Sequence, residues 1–257
     1  MLPDNLTWGA LPPGFTKLTD GNGNHMIVCQ KLQREINFDI CLNRRGDGET
    51  SRYQGRGALG TLRLSGGETA LVRQYRHGGA FRRLSGSCFF TWPPRPFREL
   101  TITEELRRRG LPTVEVYAAC VSRDFGPFYH GWLITKELRG AVDLWSVLQE
   151  GGFERFGEEA ILRAVATSVR AMHREGVYHG DLHLKNILLR QESAGVASYI
   201  IDFDKAKLFL GKLPAELVKK NFDRLLRSVR KLDPDRHRFS PEAWNRLVAF
   251  YYGTDER

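Results

Sequence analysis

Cysteine is scarce and unpatterned in this sequence. Cys29, Cys41, Cys88 and Cys120 stand far apart with no C-x-x-C, and no histidines cluster, so neither a zinc site nor a disulfide framework is expected. A reducing cytosol is the compartment that this usage implies. No stretch approaches the roughly 18 apolar residues of a membrane-spanning helix, and the opening MLPDNLTWGALPPGF has no basic segment followed by an apolar core. Neither a span nor a signal peptide is expected, and any membrane contact is peripheral. There is no internal repeat and no low-complexity tract, and 41% hydrophobic with 27% charged residues excludes a disordered, collagenous or fibrous chain. Acidic residues are missing where basic ones gather. Thr69 to Arg98 holds six arginines (Arg73, Arg76, Arg82, Arg83, Arg95, Arg98) and no acid, and Lys205 to Arg238 holds 11 basic residues against 4 acidic ones. These windows account for more than the whole net charge of +9, so two segments face a polyanionic neighbour: nucleic acid, anionic membrane or phosphorylated substrate.

At 257 residues the chain has room for one large domain or two lobes. The first half reads as strands. Residues 26–42 and 59–75 carry short apolar or alternating runs, with Gly66-Gly67 as a hairpin turn inside the second. TWPPRP around Trp92 is expected to be irregular, because consecutive prolines remove donors and restrict their predecessors. A helix follows from about Arg98 to Arg109, with Leu100, Ile102 and Leu106 inward and Gly110 and Pro112 as stops. Residues 114–121 and 131–138 return to strand character. Beyond Val142 the chain reads as mainly helical. Glu158 to Glu175 places Ile161, Leu162, Val165, Val169 and Met172 on one face, and a second helix covers about Ala215 to Leu232. Between them Ile187–Leu189 and Tyr199–Ile201 fit a small hairpin. The expectation is therefore an α+β chain of two unlike lobes: a strand-rich one over residues 1–140, with an extension over 1–50, and a helical one over 141–257.

The chemistry concentrates in VYHGDLHLKNILL (Val177 to Leu189) and YIIDFDKA (Tyr199 to Ala206). Phosphoryl transfer needs a carboxylate beside the acceptor hydroxyl and oxygen ligands for magnesium on the phosphates, since most of its catalysis is positioning and charge neutralisation. Asp181 suits the base, and Asn186 and Asp202 suit the metal ligands.

HGDLHLKN resembles the catalytic loop of the protein-kinase-like superfamily, and Asp202-Phe203-Asp204 stands where its D-F-G stands. Gly180 replaces the loop arginine, and in this the chain resembles small-molecule and lipid-directed kinases, where H-G-D-L-H is common; Asp204 replaces the glycine. The resemblance implies a bilobal kinase-like fold. It makes YQGRGALG, with Gly55, Gly57 and Gly60, a phosphate-cradling loop. It puts Arg73 of ALVR in the phosphate-anchoring place normally held by lysine, with Arg76 as the alternative anchor. Glu99, 13 residues before Pro112, becomes the helix glutamate that pairs with the anchor, with Glu104 or Glu105 as alternatives. Glu137 and Leu138 mark the interlobe hinge where backbone groups hold adenine.

LVRQYRHGGAFRRL, DFDKA and KKNFDRLLRSVRKL narrow the resemblance to the bacterial lipopolysaccharide kinase family, above all its 3-deoxy-D-manno-octulosonic acid (Kdo) kinases and their heptose-kinase relatives. What this implies is transfer of the ATP γ-phosphate, with Mg2+, to a hydroxyl of Kdo on lipid A at the cytoplasmic face of the inner membrane. The acceptor is then an anionic glycolipid and no nucleic-acid partner is expected. On the helix near 215–232, Val218, Phe222, Leu225, Val229 and Leu232 form one stripe, while Lys220, Arg224, Arg227 and Lys231 form an opposite basic stripe suited to anionic lipid. A heptose kinase, a small atypical protein kinase and a non-catalytic pseudokinase remain as alternatives, the last favoured by Arg73 in place of lysine.

Overall fold

The computed structural model describes residues 9–42, 59–76, 87–124 and 126–253. The chain divides into two units: Met1–Glu105 with Glu115–Glu137, and Leu106–Val114 with Leu138–Arg257.

The first unit is built on a six-stranded sheet of β1 (Phe15–Thr19), β2 (His25–Cys29), β3 (Leu59–Arg63), β4 (Thr69–Gln74), β5 (Val116–Arg123) and β6 (Tyr129–Lys136), in the order β1-β2-β5-β6-β4-β3. Neighbouring strands are antiparallel throughout. Alternation gives both faces a core. Met26 and Val28 pack with Ile134 and Val72 on one side, and Ile27 packs with Ala119 and Leu133 on the other. The β3–β4 hairpin turns at Gly67, whose φ of 78° is the left-handed conformation that such a turn requires.

Two expectations change here. Residues 30–42 are not strand. A 3-10 turn (Gln30–Leu32) and α1 (Phe38–Leu42) replace it, because QKLQREI lacks alternation and instead spaces Leu32, Ile36 and Cys41 to cover one face of the sheet. The prolines do not stay outside regular structure either. Helix α2 (Arg95–Arg108) starts inside TWPPRP, with Pro96 in the first turn, where a missing N–H costs nothing. The Arg95 N–H donates to the Tyr129 hydroxyl at 2.9 Å, and Phe97 and Leu100 cover the other face of the sheet.

The second unit opens with β7 (Val142–Asp143) and α3 (Leu144–Gln149), whose first turn is capped by the Asp143 carboxylate accepting from Ser146 N–H at 3.1 Å. After α4 (Gly152–Phe156), helix α5 (Glu158–Arg174) buries Ile161, Leu162, Val165, Val169 and Met172, the face expected from the sequence. Short β8 (Val177–Tyr178) leads to the hairpin of β9 (Ile187–Glu192) and β10 (Gly195–Ile200), longer than its apolar runs suggested. Then come β11 (Lys207–Leu208), α6 (Ala215–Leu232) and α7 (Pro241–Tyr252). In α6, Val218, Leu225 and Val229 are buried while Lys220, Arg227 and Lys231 are exposed, as the two stripes require.

Candidate active site

In the first unit, strand β4 carries Arg73 and helix α2 carries Glu99. The Arg73 guanidinium donates from one nitrogen to both Glu99 carboxylate oxygens, at 2.6 and 2.7 Å. Glu99 is only 2% exposed, and the Tyr75 hydroxyl also donates to it. A carboxylate so deeply buried requires such charge-assisted partners. Arg73 further lies over the Tyr75 ring, 5.0 Å from its centroid. The alternatives fall elsewhere. Glu104 accepts from Val116 N–H at 2.7 Å, tying α2 to the start of β5, and the exposed Arg76 donates to the Gln74 side-chain oxygen at 3.4 Å. Gly60 lies on β3 opposite Val72, whereas Gly55 and Gly57 lie outside the described residues. Glu137 ends this unit with its N–H donating to the Thr69 carbonyl at 2.8 Å, and Leu138 begins the second, its carbonyl accepting from Ala141 N–H at 3.0 Å.

In the second unit the pairing Ile187↔Ile200 closes the base of the β9–β10 hairpin and sets what flanks it. Asn186 and Ile201 then meet, Ile201 N–H donating to the Asn186 carbonyl at 3.0 Å, so Asp202 follows directly beside Asn186. Asn186 is 6% exposed and its amide nitrogen donates to the Asp181 carbonyl at 3.0 Å, which leaves its Oδ1 as the atom that could take a ligand. Asp202 has φ 67° and ψ 63°, a left-handed conformation uncommon for a side-chain-bearing residue and typical of functional turns.

His179, wholly buried, binds the two halves together. Its Nε2–H donates to the Ile201 carbonyl at 3.0 Å, and its Nδ1 accepts from Asp181 N–H at 3.2 Å. Both contacts require the neutral Nε2–H tautomer, and burial pushes the imidazole pKa below its ordinary value in the same direction. The ring packs on Phe203, with centroids 5.1 Å apart.

Gly180 explains the departure from the loop arginine. Its φ is +76°, and a Cβ there would lie 2.4 Å from the Lys205 carbonyl oxygen. Only glycine lets the catalytic loop lie against the turn after Asp202. That close approach has a chemical result: Lys205 Nζ reaches Asp181 Oδ2 at 2.7 Å, and Arg224 of α6 stands 4.0 Å from Oδ1. Arg224 also donates to the Tyr178 hydroxyl at 3.4 Å. It therefore leaves the lipid-facing role that its place in the basic stripe suggested and turns toward the carboxylate. The sequence reading missed Lys205 and Arg224 as site residues. Lys205 was within sight, three residues after Asp202, but nothing local shows which way a lysine points.

Among the described residues one further group of ligating side chains converges: Cys88, Asp124 and His130 of the first unit place their ligand atoms within 4.8 Å of one another. Burial, then Asp124, pushes the Cys88 thiol pKa up, so it stays protonated. All four cysteines are free thiols.

The fold and the sequence both have counterparts. The solved structure described as WaaP in complex with acyl carrier protein matches with a TM-score of 0.53 and 20% identity, covering 84% of this chain and 86% of that one. This is a likeness of kinase-like α+β fold. A 3-deoxy-D-manno-octulosonic acid kinase of Xylella fastidiosa (strain 9a5c) is 32% identical over 231 residues, 86% of this chain and 87% of its own. The protein of that name from Pasteurella multocida (strain Pm70) is 30% identical over 204 residues, 77% and 82% of the two chains. A model of the lipopolysaccharide kinase (Kdo/WaaP) family matches residues 50–251, and with HGDLHLKN and DFDKA set in the geometry above, the chain belongs to that family of kinases.

Proposed function

We propose that this kinase transfers the γ-phosphoryl group of ATP to a hydroxyl of Kdo on Kdo-lipid A, in lipopolysaccharide core biosynthesis, as a peripheral protein at the cytoplasmic face of the inner membrane. The observation that carries the proposal is the Asp181 carboxylate held between Lys205 and Arg224, beside Asn186 and Asp202, in a chain whose relatives are named Kdo kinases.

Asp181 receives the proton of the acceptor hydroxyl as that oxygen bonds to the γ-phosphorus and the bond to the β–γ bridging oxygen breaks, releasing ADP. Lys205 and Arg224 lie where negative charge arrives, so they offset the charge of the phosphoryl group and of an anionic acceptor. A magnesium ion fits the donor set. Asn186 offers a carbonyl oxygen whose amide partner is already fixed and Asp202 a carboxylate, both hard oxygen ligands. Bound there, it would supply charge neutralisation on the nucleotide phosphates. Within the first unit Arg73, steadied by Glu99, is a donor suited to nucleotide phosphates, with Gly60 at the sheet edge.

The test is an acceptor screen with purified protein, ATP and magnesium. Phosphorylation of Kdo-lipid A, lost in Asp181→Ala, is expected. Transfer only to a heptosylated core or to protein would overturn the acceptor, and a fully active, folded Asp181→Ala variant would overturn the base.

A further inference from the structure

Just beyond the catalytic turn, Leu208, Phe209 and Leu210 form a run of three large apolar residues that are 41%, 37% and 104% exposed. Isolated apolar residues on a surface need no explanation, but three in succession on a tightly held loop form a patch. The loop is held at both ends. Lys207 and Leu208 pair with Tyr178 and Val177, Phe209 N–H donates to the Gly176 carbonyl at 2.9 Å, and Leu213 N–H donates to the His173 carbonyl at 2.9 Å. Gly176 makes this possible, since a Cβ there would lie 2.3 Å from the Gly211 carbonyl oxygen and 2.4 Å from that of Phe209. The backbone thus has little room to fold the apolar tip back.

Along the loop itself the charge has one sign. Exposed Lys205, Lys207 and Lys212 flank the tip, and no acid occurs from Lys205 to Ala215. Beyond Glu216, exposed Lys220 follows on α6, while Lys219 is paired with Asp223 at 3.3 Å. An apolar tip within a cationic collar complements the anionic surface of a phospholipid leaflet, which takes apolar side chains into its interface and attracts lysines at headgroup level. A soluble protein partner would instead need matching acids around an apolar socket. Among the described residues no helix is long and apolar enough to cross a membrane.

We propose that the Lys207–Lys212 loop is a membrane-docking wedge for an anionic bilayer, inserting Leu208, Phe209 and Leu210 at the level of the headgroups. It rests on the glycolipid reading only for its purpose. Leu208 is three residues from Lys205, whose ammonium touches Asp181, so at most about 10 Å of chain separates the start of the wedge from the lysine that reaches the carboxylate. A seated wedge holds the phosphotransfer site close to the sugars of a lipid in the same leaflet.

The full-length protein is sedimented with vesicles of phosphatidylcholine and of phosphatidylcholine with added phosphatidylglycerol. Binding that favours the anionic vesicles is expected, weakened by about tenfold to a hundredfold in Leu210→Asp and strengthened in Leu210→Trp. Because Leu210 is fully exposed, Leu210→Asp keeps its fold and its turnover of a detergent-dispersed acceptor. Unchanged vesicle binding in Leu210→Asp overturns the wedge and leaves the kinase reading standing. Wild-type binding lost in Leu210→Asp, with no transfer to Kdo-lipid A, supports the wedge while the acceptor reading falls. Self-association abolished by Leu210→Asp, without vesicle binding, assigns the patch to a second copy of the chain and overturns the wedge.

Discussion

Gly180→Ala tests the closeness of the catalytic loop to the turn that carries Lys205. The added Cβ is penalised twice. At φ +76° an alanine costs about 1–2 kcal/mol in backbone conformation. The methyl would also lie 2.4 Å from the Lys205 carbonyl oxygen, 3.1 Å from its carbonyl carbon and 3.1 Å from its Cβ. An ordinary carbon–oxygen contact is about 3.3 Å, so the two segments must part by about 1 Å. Both are backbone, and His179, Asn186 and Lys205 all anchor there, so the strain has no flexible side chain to absorb it. The expected loss of stability is about 2–3 kcal/mol in urea unfolding. Catalysis should suffer as well, because Lys205 is displaced from Asp181. A misplacement of about 1 Å lowers kcat roughly a hundredfold, while the KM for ATP changes little. A Gly180→Ala enzyme with wild-type stability and turnover would refute the claim that this contact sets the site.

Other consequences are equally direct. Lys205→Met leaves stability nearly unchanged, since the pair is largely exposed, but lowers kcat by about a hundredfold to a thousandfold. An unchanged or raised rate in steady-state assays would contradict a role for the lysine in offsetting the arriving negative charge. Glu99→Gln leaves the Arg73 guanidinium without its buried counter-charge and should cost about 2 kcal/mol and raise the KM for ATP. A double-mutant cycle with Arg73→Met should show most of that loss as coupling, and additive effects would contradict the pairing. Burial, aided by His179, lowers the His173 pKa from 6.5 to about 4. Its folded form binds fewer protons than the unfolded one, so this stability is complete above about pH 6.5 and is lost as pH falls toward 4, about 3 kcal/mol in all. Thermal melts across that window should show the slope in the wild type and not in His173→Gln.

Helices were legible where an apolar stripe ran long enough to declare its period: α5 and α6 fall where Ile161-to-Met172 and Val218-to-Leu232 place them. Short segments were not. Residues 30–42 look strand-like only as a continuation of β2, and their use as a cover for the sheet depends on partners such as Tyr117 and Ile134, far along the chain. The start of α2 hid behind prolines that disfavour helix interiors but suit a first turn. Asp181, Asn186 and Asp202 could be singled out because their chemistry travels with a fixed spacing, and Glu99 because of its distance to Pro112. Lys205, Arg224 and His179 could not be read in their roles. Each contributes through a contact whose direction is set by packing: Gly180 against Lys205, Arg224 reaching back from α6, His179 between Asp181 and Ile201.

The central claim concerns the acceptor, and mass spectrometry of lipid A and core oligosaccharide from cells lacking the gene tests it most directly. Loss of a phosphate on Kdo, restored by the wild-type gene and not by Asp181→Ala, is the predicted result. A glycolipid unchanged by the deletion would contradict it.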